Sequence, residues 1–180
     1  MSVSKKSQPL ERHQVTIHYL EQRQPVALPP LPRPARRLAI MKAEKPPLGF
    51  YRYLFNTIGE PHRWITRRYL SDEDLRAVIN RDDVHIHILY ADGSPAGLGE
   101  IDDRKAGKAS IKFFGLIPEA QGQGLGRWFF REITAAAWSL RRGRVTIETC
   151  SLDSPRALQL YQREGFTLHD HAAGVVEWHG

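Results

Sequence analysis

The sequence is poor in cysteine and in long apolar segments. Its one cysteine, Cys150, among 180 residues excludes an internal disulfide framework and a zinc site built from several cysteines. No apolar run approaches the roughly 18 residues that span a bilayer, and the first residues lack the apolar stretch of a signal peptide. These absences argue against a helical membrane protein and predict a cytoplasmic location.

Acidic residues are in the minority, with 20 against 26 lysines and arginines, so the formal net charge is +6. Hydrophobic residues at 41% and charged residues at 26% are ordinary for a globular protein and exclude a disordered or collagen-like chain. The chain is long enough for one domain with its own core. The basic excess raises nucleic acid, anionic lipid or a phosphorylated ligand as partners.

The basic excess is concentrated in residues 1–37, which contain seven basic and two acidic residues and six of the twelve prolines. Proline lacks the amide hydrogen that a helix needs, so residues 25–37 should run extended along the surface. Before them, residues 14–21 alternate in a way that is typical of an edge strand. We expect an N-terminal extension, residues 1–37, that packs as a strand and strap on a domain formed by residues 38–180. A nucleic-acid-binding arm is the less favoured alternative.

The remaining chain alternates between helix-like and strand-like patterns. Apolar residues at helical spacing predict helices over 50–58, 71–79, 125–140 and 154–164. Predicted strands cover 37–43, 84–90, 96–101, 109–117 and 144–150, and a closing hairpin covers 166–169 and 175–178. Antiparallel strands followed by a strand–helix–strand–helix–strand run predict an α/β fold of the α+β kind, in which a mixed, mostly antiparallel sheet carries helices on both faces.

A glycine-rich turn joins the predicted strand that ends at Ile117 to the helix that follows. Gly122, Gly124 and Gly126 let the backbone approach a ligand closely, and the free amide groups at the helix start can hold an anion. Arg127 stands where a Walker loop has lysine and where the dinucleotide fingerprint has glycine, which excludes both. A phosphate-bearing ligand is the natural occupant, and a plain tight turn is the alternative.

Two motifs together resemble a known family. Gln121-x-x-Gly124-x-Gly126 resembles the coenzyme-A-binding motif of the GNAT superfamily of N-acetyltransferases. The pattern Ala-x-x-Leu-Tyr-x-x-x-Gly-Phe over residues 157–166 resembles that family's second core motif, and the helix and strand between the motifs also fit. The resemblance runs from about residue 39 to the C-terminus and leaves the first 37 residues outside it.

The resemblance implies a site for acetyl-CoA in a V-shaped split of the sheet, between the strand ending at Ile117 and the strand ending near Cys150. The pantetheine would pair with the main chain near Leu116 and Ile117, and the pyrophosphate would rest on the glycine turn beside Arg127, with Arg131 or Arg163 as further cations. The implied coenzyme-A-binding residues are Leu116, Ile117, Gln121, Gly122, Gln123, Gly124, Leu125, Gly126, Arg127 and Ser154. The family's usual asparagine falls on Ser154, which can bond a pantetheine amide or cap the following helix.

Tyr161 matches the family's general acid, which protonates the leaving thiolate; a tyrosine that only packs in the core is the alternative. The base that deprotonates the amine is less visible. We name Glu100, with Glu148 as a second candidate, although each is by itself more typical of a surface carboxylate. Glu60 and Trp64 are placed where they would shape the acceptor pocket.

Other polar residues predict no further chemistry. His85 and His87 share a strand face, but no third ligand accompanies them, so no metal is expected; His169 and His171 repeat that spacing. No motif places a histidine beside Cys150, which is expected to be an inert thiol.

We therefore predict an acetyl-CoA-dependent N-acetyltransferase, with a primary amine of a small molecule or peptide attacking directly and no covalent enzyme intermediate. A noncatalytic acyl-CoA-binding or regulatory module is the alternative. No membrane partner is expected, nucleic acid is disfavoured, and a homodimer is left open.

Overall fold

A computed structural model describes residues 10–179, so residues 1–9 of the predicted extension lie outside the described part. The strands are β1 (Leu10–Gln22), β2 (Leu38–Lys42), β3 (Val84–Ala91), β4 (Ser94–Asp102), β5 (Ala109–Leu116), β6 (Val145–Cys150) and β7 (Thr167–His179). The helices are α1 (Leu48–Gly59), α2 (Asp72–Ile79), α3 (Leu125–Ser139) and α4 (Pro155–Arg163). Short 3-10 turns cover Glu60–His62 and Pro118–Ala120. Within residues 10–179 no helix is long and apolar enough to cross a membrane.

The strands form one seven-stranded sheet in the order β2-β3-β4-β5-β6-β1-β7, antiparallel except for the parallel pair β5–β6. Helices cover both faces. A side chain at Gly99 would collide with Ile133 of α3, whereas one at Gly115 would collide with Ile58 of α1, so glycine lets each helix approach the sheet closely. The mixed sheet with helices on both faces confirms the predicted fold.

β1 lies inside the sheet, and the prediction of an edge strand is wrong. Residues 17–22 pair with β6, and residues 10–21 pair with β7. Leu20 is 0% exposed and belongs to the main hydrophobic core. The alternation that identifies a strand does not reveal how many neighbours it has, because both of these neighbours come from the far end of the chain.

β7 is one continuous strand where the sequence predicted a hairpin. The turn of the predicted hairpin includes Gly174, which instead pairs with Val15 of β1. β1 is as long as β7 and supplies a partner along its length, so β7 does not need to fold back on itself.

The proline-rich strap between β1 and β2 packs on the body of the protein, as expected. Val26 fills the space above Gly165, and the Pro29 carbonyl accepts a hydrogen bond from Arg131. Nearer β2, Arg36 forms an ion pair with Asp92 at 2.6 Å. These contacts hold the strap against the helical face that also carries the glycine turn.

The sheet splits between β5 and β6, as the resemblance implied. The two strands pair only over residues 109–111 and 145–147. One extra residue, Lys112, lies in β5 where the β4–β5 register shifts, since Glu100 pairs with Phe113 but Ile101 pairs with Ile111. A bulge of this kind bends the strand that carries it. Beyond Ile111, β5 therefore diverges from β6 and leaves a V-shaped opening.

Candidate functional site

The V-shaped opening continues as a cavity of about 880 Å³ that passes through the sheet. Ile58 of α1 borders it on one face, and Tyr161 of α4 borders it on the other. Phe113 of β5 and Glu148 of β6 flank the split, and Val15 of β1 extends the wall beyond the end of β6. The cavity thus connects the glycine turn with a chamber between the α1–α2 loop and β1.

The glycine turn has the geometry of an anion cradle. Gly122 and Gly124 have φ of +72° and +74°, a region that side chains disfavour, although space around both is open. Gly124 is the residue before α3, and no side chain among residues 10–179 caps that helix, so its first amide groups can bind a ligand. The Gln121 side chain donates to the Leu116 carbonyl at 3.1 Å and ties the turn to the end of β5.

Six of the ten predicted coenzyme-A residues line the cavity: Leu116, Gln121, Gly122, Gly126, Arg127 and Ser154. Gly124 acts through the backbone turn just described. Gln123 instead bonds to Arg36 and to the Glu119 carbonyl, and Leu125 is fully buried in the core.

Ile117 has no free main-chain group, which corrects its predicted role. Its N–H donates to Ala96 at 3.0 Å and its carbonyl accepts from Ala120 at 3.0 Å. Because main-chain groups alternate between the two sides of an antiparallel strand, Phe114 and Leu116 point theirs away from β4 and into the split. The Leu116 carbonyl accepts from Gln121, and the pairing with β6 ends at Ile111, so in the described part of the chain the Leu116 N–H and both main-chain groups of Phe114 are available.

Two of the predicted cations are already paired with a buried carboxylate. Arg127 and Arg131 each donate through Nε to Glu164 at 2.5 Å, and Glu164 is almost completely buried. Arg127 and Arg163 line the cavity, whereas Arg131 lies outside its wall and also binds the strap. Glu164 therefore orients Arg127 beside the turn.

Tyr161, the predicted general acid, lies in the cavity wall. It lines the cavity although only 6% of its surface is exposed, and its ring packs 4.8 Å from Phe130. Within residues 10–179 its hydroxyl makes no hydrogen bond. Burial, and then the charge of Asp153, raises the pKa of Tyr161 above its ordinary value. The phenol is thus protonated and free to bond a ligand.

Glu100 is not brought together with Tyr161. It is 0% exposed and absent from the cavity wall, and both of its oxygens are occupied. Oε2 accepts from the Tyr51 hydroxyl at 2.5 Å, and Oε1 accepts from Arg67 at 2.8 Å. Burial, followed by the Glu100 charge, raises the pKa of Tyr51 well above its usual range. Because this carboxylate has no surface that a substrate can touch, the structure argues against its predicted contact with the amine.

Glu148, the second predicted candidate, does line the cavity. Its side chain is 49% exposed and lies 3.6 Å from the Lys112 ammonium group. Trp64 also lies in the wall, whereas Glu60 does not and pairs with Arg68 at 3.8 Å.

Sequence reasoning missed the histidine that ends the 3-10 turn after α1. His62 lines the cavity, and its Nδ1 lies 3.2 Å from the Leu152 carbonyl oxygen in the β6–α4 loop. Two residues later, the Trp64 indole donates to Asp153 at 3.2 Å. No family motif or periodic pattern surrounds His62, so only the hydrogen bonds across the split identify it.

The remaining histidines and the cysteine form no reactive group here. In residues 10–179 no three histidine, cysteine or acidic side chains come together as metal ligands. Burial, and then the neighbouring His85, lowers the pKa of His87 to about 4. Cys150 lines the cavity, and burial raises its thiol pKa, so it stays protonated.

Comparisons with known proteins agree with this geometry. The family model of the acetyltransferase (GNAT) domain matches residues 59–177. No functionally curated protein is significantly similar to the chain in sequence.

Three solved structures illustrate the similarity of fold. An aminoglycoside acetyltransferase from an uncultured soil metagenomic sample, in complex with trehalose, is 14% identical with a TM-score of 0.59, over 74% of this chain and 90% of that one. A Bacillus subtilis acetyltransferase in complex with CoA is 18% identical with a TM-score of 0.58, over 74% and 79%. A functionally unknown conserved protein from Staphylococcus epidermidis is 15% identical with a TM-score of 0.58, over 92% of this chain; the chain spans 62% of that protein.

Proposed function

Because the chain belongs to the GNAT acetyltransferase family, we propose that it transfers the acetyl group of acetyl-CoA to a primary amine by direct attack. The acceptor is a small molecule or a peptide. The observation that carries the proposal is the continuous cavity, which has an anion cradle on one side of the sheet and a protonated tyrosine at the split.

The residues of the cavity fit coenzyme A. The amide groups at the start of α3 and the Arg127 guanidinium would hold the pyrophosphate, since both favour negative charge. The free main-chain groups of Phe114 and Leu116 would bond the pantetheine as a neighbouring strand would. Ser154, whose hydroxyl accepts a 3.4 Å bond from the Arg156 amide, lies at the start of α4 within reach of the same arm.

Tyr161 is the proposed general acid. When bound, acetyl-CoA supplies the acetyl thioester whose sulfur becomes the leaving group. The Tyr161 hydroxyl holds its proton because burial disfavours the phenolate, and it has no competing partner in the described part of the chain. It can therefore donate to the departing sulfur. Glu100, which binds Arg67 and Tyr51 in the core, has a structural role and no part in proton transfer in this proposal.

We also propose that the protein acts in the cytoplasm and that the N-terminal strap does not bind nucleic acid. Arg36 is paired with Asp92, and Arg33 donates to the Leu38 carbonyl at 3.0 Å. These cations are engaged within the protein, which supports a packing role for the strap. A homodimer stays a prediction from the sequence.

The test combines CoA binding by calorimetry with thiol release from acetyl-CoA over a panel of primary amines: amino acids, a polyamine, an aminoglycoside and a short peptide. We expect CoA to bind and at least one amine to trigger thiol release. CoA binding without thiol release for any amine would indicate the noncatalytic acyl-CoA module. Absence of CoA binding would refute both.

A matched pair of glycine variants locates the binding site. Gly124→Ala and Gly107→Ala place a side chain at φ of +74° and +78°, in open space in both cases. Each costs about 1–2 kcal/mol of backbone strain. In both variants the backbone should shift locally to relieve this strain. Only in Gly124→Ala does the shift move the amide groups of the anion cradle, so only this variant should bind CoA about tenfold more weakly. Equal CoA affinity in the two variants would contradict the assigned cradle.

A further inference from the structure

His62 has a defined proton arrangement in the cavity wall. The Leu152 carbonyl oxygen, 3.2 Å from Nδ1, can only accept a hydrogen bond, so Nδ1 carries the proton. In the neutral ring, Nε2 then has a free lone pair. Across residues 10–179, Nε2 makes no hydrogen bond and is not among the buried unpartnered atoms. A basic nitrogen is therefore open to the cavity.

One hydrogen bond holds this imidazole directly, and a second holds the loop that carries it. We call His62–Leu152 and Trp64–Asp153 the clasp, because they join the loop after α1 to the loop after β6 across the split. Asp153 is itself fixed, since it accepts from the Cys150 N–H at 2.9 Å and from the Thr149 hydroxyl at 2.8 Å. The clasp orients Nε2 with little freedom to reorient, which a proton-transfer group requires.

We propose that Nε2 of His62 is the general base that removes a proton from the acceptor ammonium group, directly or through one water. The proposal rests on the proposed function. The amine nitrogen bonds to the acetyl carbon and the C–S bond breaks. The ammonium group has three protons. Nε2 of His62 takes the first and releases it to solvent, and the amide nitrogen of the product keeps the second. The third replaces the proton that Tyr161 gives to the sulfur.

The other bases of the cavity suit this role less well. Glu100 cannot touch the amine, and burial keeps Cys150 a thiol. Glu148 lies beside Lys112 in a half-exposed position, where the ammonium group and solvent compete for its oxygens, and a carboxylate is by its nature a weaker base than an imidazole.

Charged groups lie on the elements that border the part of the cavity where His62 lies. On its own loop these are Glu60 and Arg63, and Arg63 lies 3.6 Å from Glu11 of β1. Those in the cavity wall on the strands and on the β6–α4 side are Lys112, Glu148, Asp153 and Arg156. His13 of β1 bonds Glu11 at 3.0 Å.

The decisive variant is His62→Asn, whose amide nitrogen takes the place of Nδ1 and can still donate to Leu152 but which has no basic nitrogen. With the most active amine of the panel, we expect kcat/KM at pH 7 to fall by about 10²-fold or more. The acidic limb of the pH–rate profile should disappear. The difference in kcat/KM between this variant and the wild type should shrink as the pH approaches the pKa of the amine in solution, because the amine then binds already deprotonated. CoA affinity should not change.

Trp64→Phe is the matched control, since it removes the other bond of the clasp and leaves the imidazole. A lower rate with the acidic limb retained would support a chemical role for His62 rather than a structural one. Nitrogen NMR of the protein without any acceptor should show His62 protonated at Nδ1.

Three outcomes overturn the assignment of the base: an Nε2-protonated ring, an acidic limb that survives in His62→Asn, or the same loss of that limb in Trp64→Phe. These differ from failure of the proposed function, in which the wild-type protein releases no thiol with any amine.

Discussion

Replacement of Leu20 by alanine measures how far the N-terminal strand is part of the structural core. Leu20 is 0% exposed and lies opposite Ile147 of β6, within the main hydrophobic cluster. Removal of a fully buried leucine side chain costs about 2–5 kcal/mol, because the neighbours only partly fill the space left behind. With a slope of about 2 kcal/mol per molar urea, the unfolding midpoint should fall by about 1–2.5 M.

Leu10→Ala is the control for this measurement, as the same substitution in the same strand at a position that is 45% exposed. It should change the free energy of unfolding by no more than about 0.5 kcal/mol. Urea unfolding followed by circular dichroism compares the two variants. Equal midpoints would show that β1 is an appendage and that residues 1–37 do not support the sheet.

Two further substitutions test the chemistry. Tyr161→Phe should lower kcat by about 10²-fold with CoA affinity unchanged, and because burial raises the pKa of Tyr161, wild-type kcat should not fall through loss of this proton up to about pH 9. An unaltered kcat would remove Tyr161 from the mechanism. Glu100→Gln leaves the buried Arg67 charge without a counter-charge and should destabilise the fold by about 3–5 kcal/mol, as read from urea unfolding. The acidic limb of its pH–rate profile should remain, and a folded Glu100→Gln protein without that limb would make Glu100 the base instead of His62.

Most of the fold, and the part of the site proposed to bind coenzyme A, could be predicted from local sequence patterns. The glycine turn and the helix that bears Tyr161 each lie within a short stretch of chain, so spacing alone identifies them. The order of strands and helices was predicted for the same reason. The split was implied only through the family resemblance, and its physical origin, the extra residue Lys112 in β5, has no local signal.

The parts that escaped prediction depend on distant partners. In the sequence, Glu100 looks like any carboxylate on a strand. Its hydrogen bonds come from Tyr51 and Arg67, which are 49 and 33 residues away. His62 becomes a cavity residue only through Leu152, 90 residues further along the chain. β1 was recognised as a strand, yet its place between β6 and β7 could not be predicted, because alternation does not specify a neighbour.

The interior position of β1 affects the order in which the parts of the protein fold during synthesis. Thr16 leaves the ribosome 135 residues before Ser151, and the two residues exchange main-chain and side-chain bonds, so the strand cannot pair with β6 until the residues between them have been made. Pairing over such a separation is slow, since a long loop must close before any contact forms. Val15 and Ile17 belong to this late pairing. The nascent chain should therefore form the glycine turn before it forms the part of the cavity wall that β1 supplies.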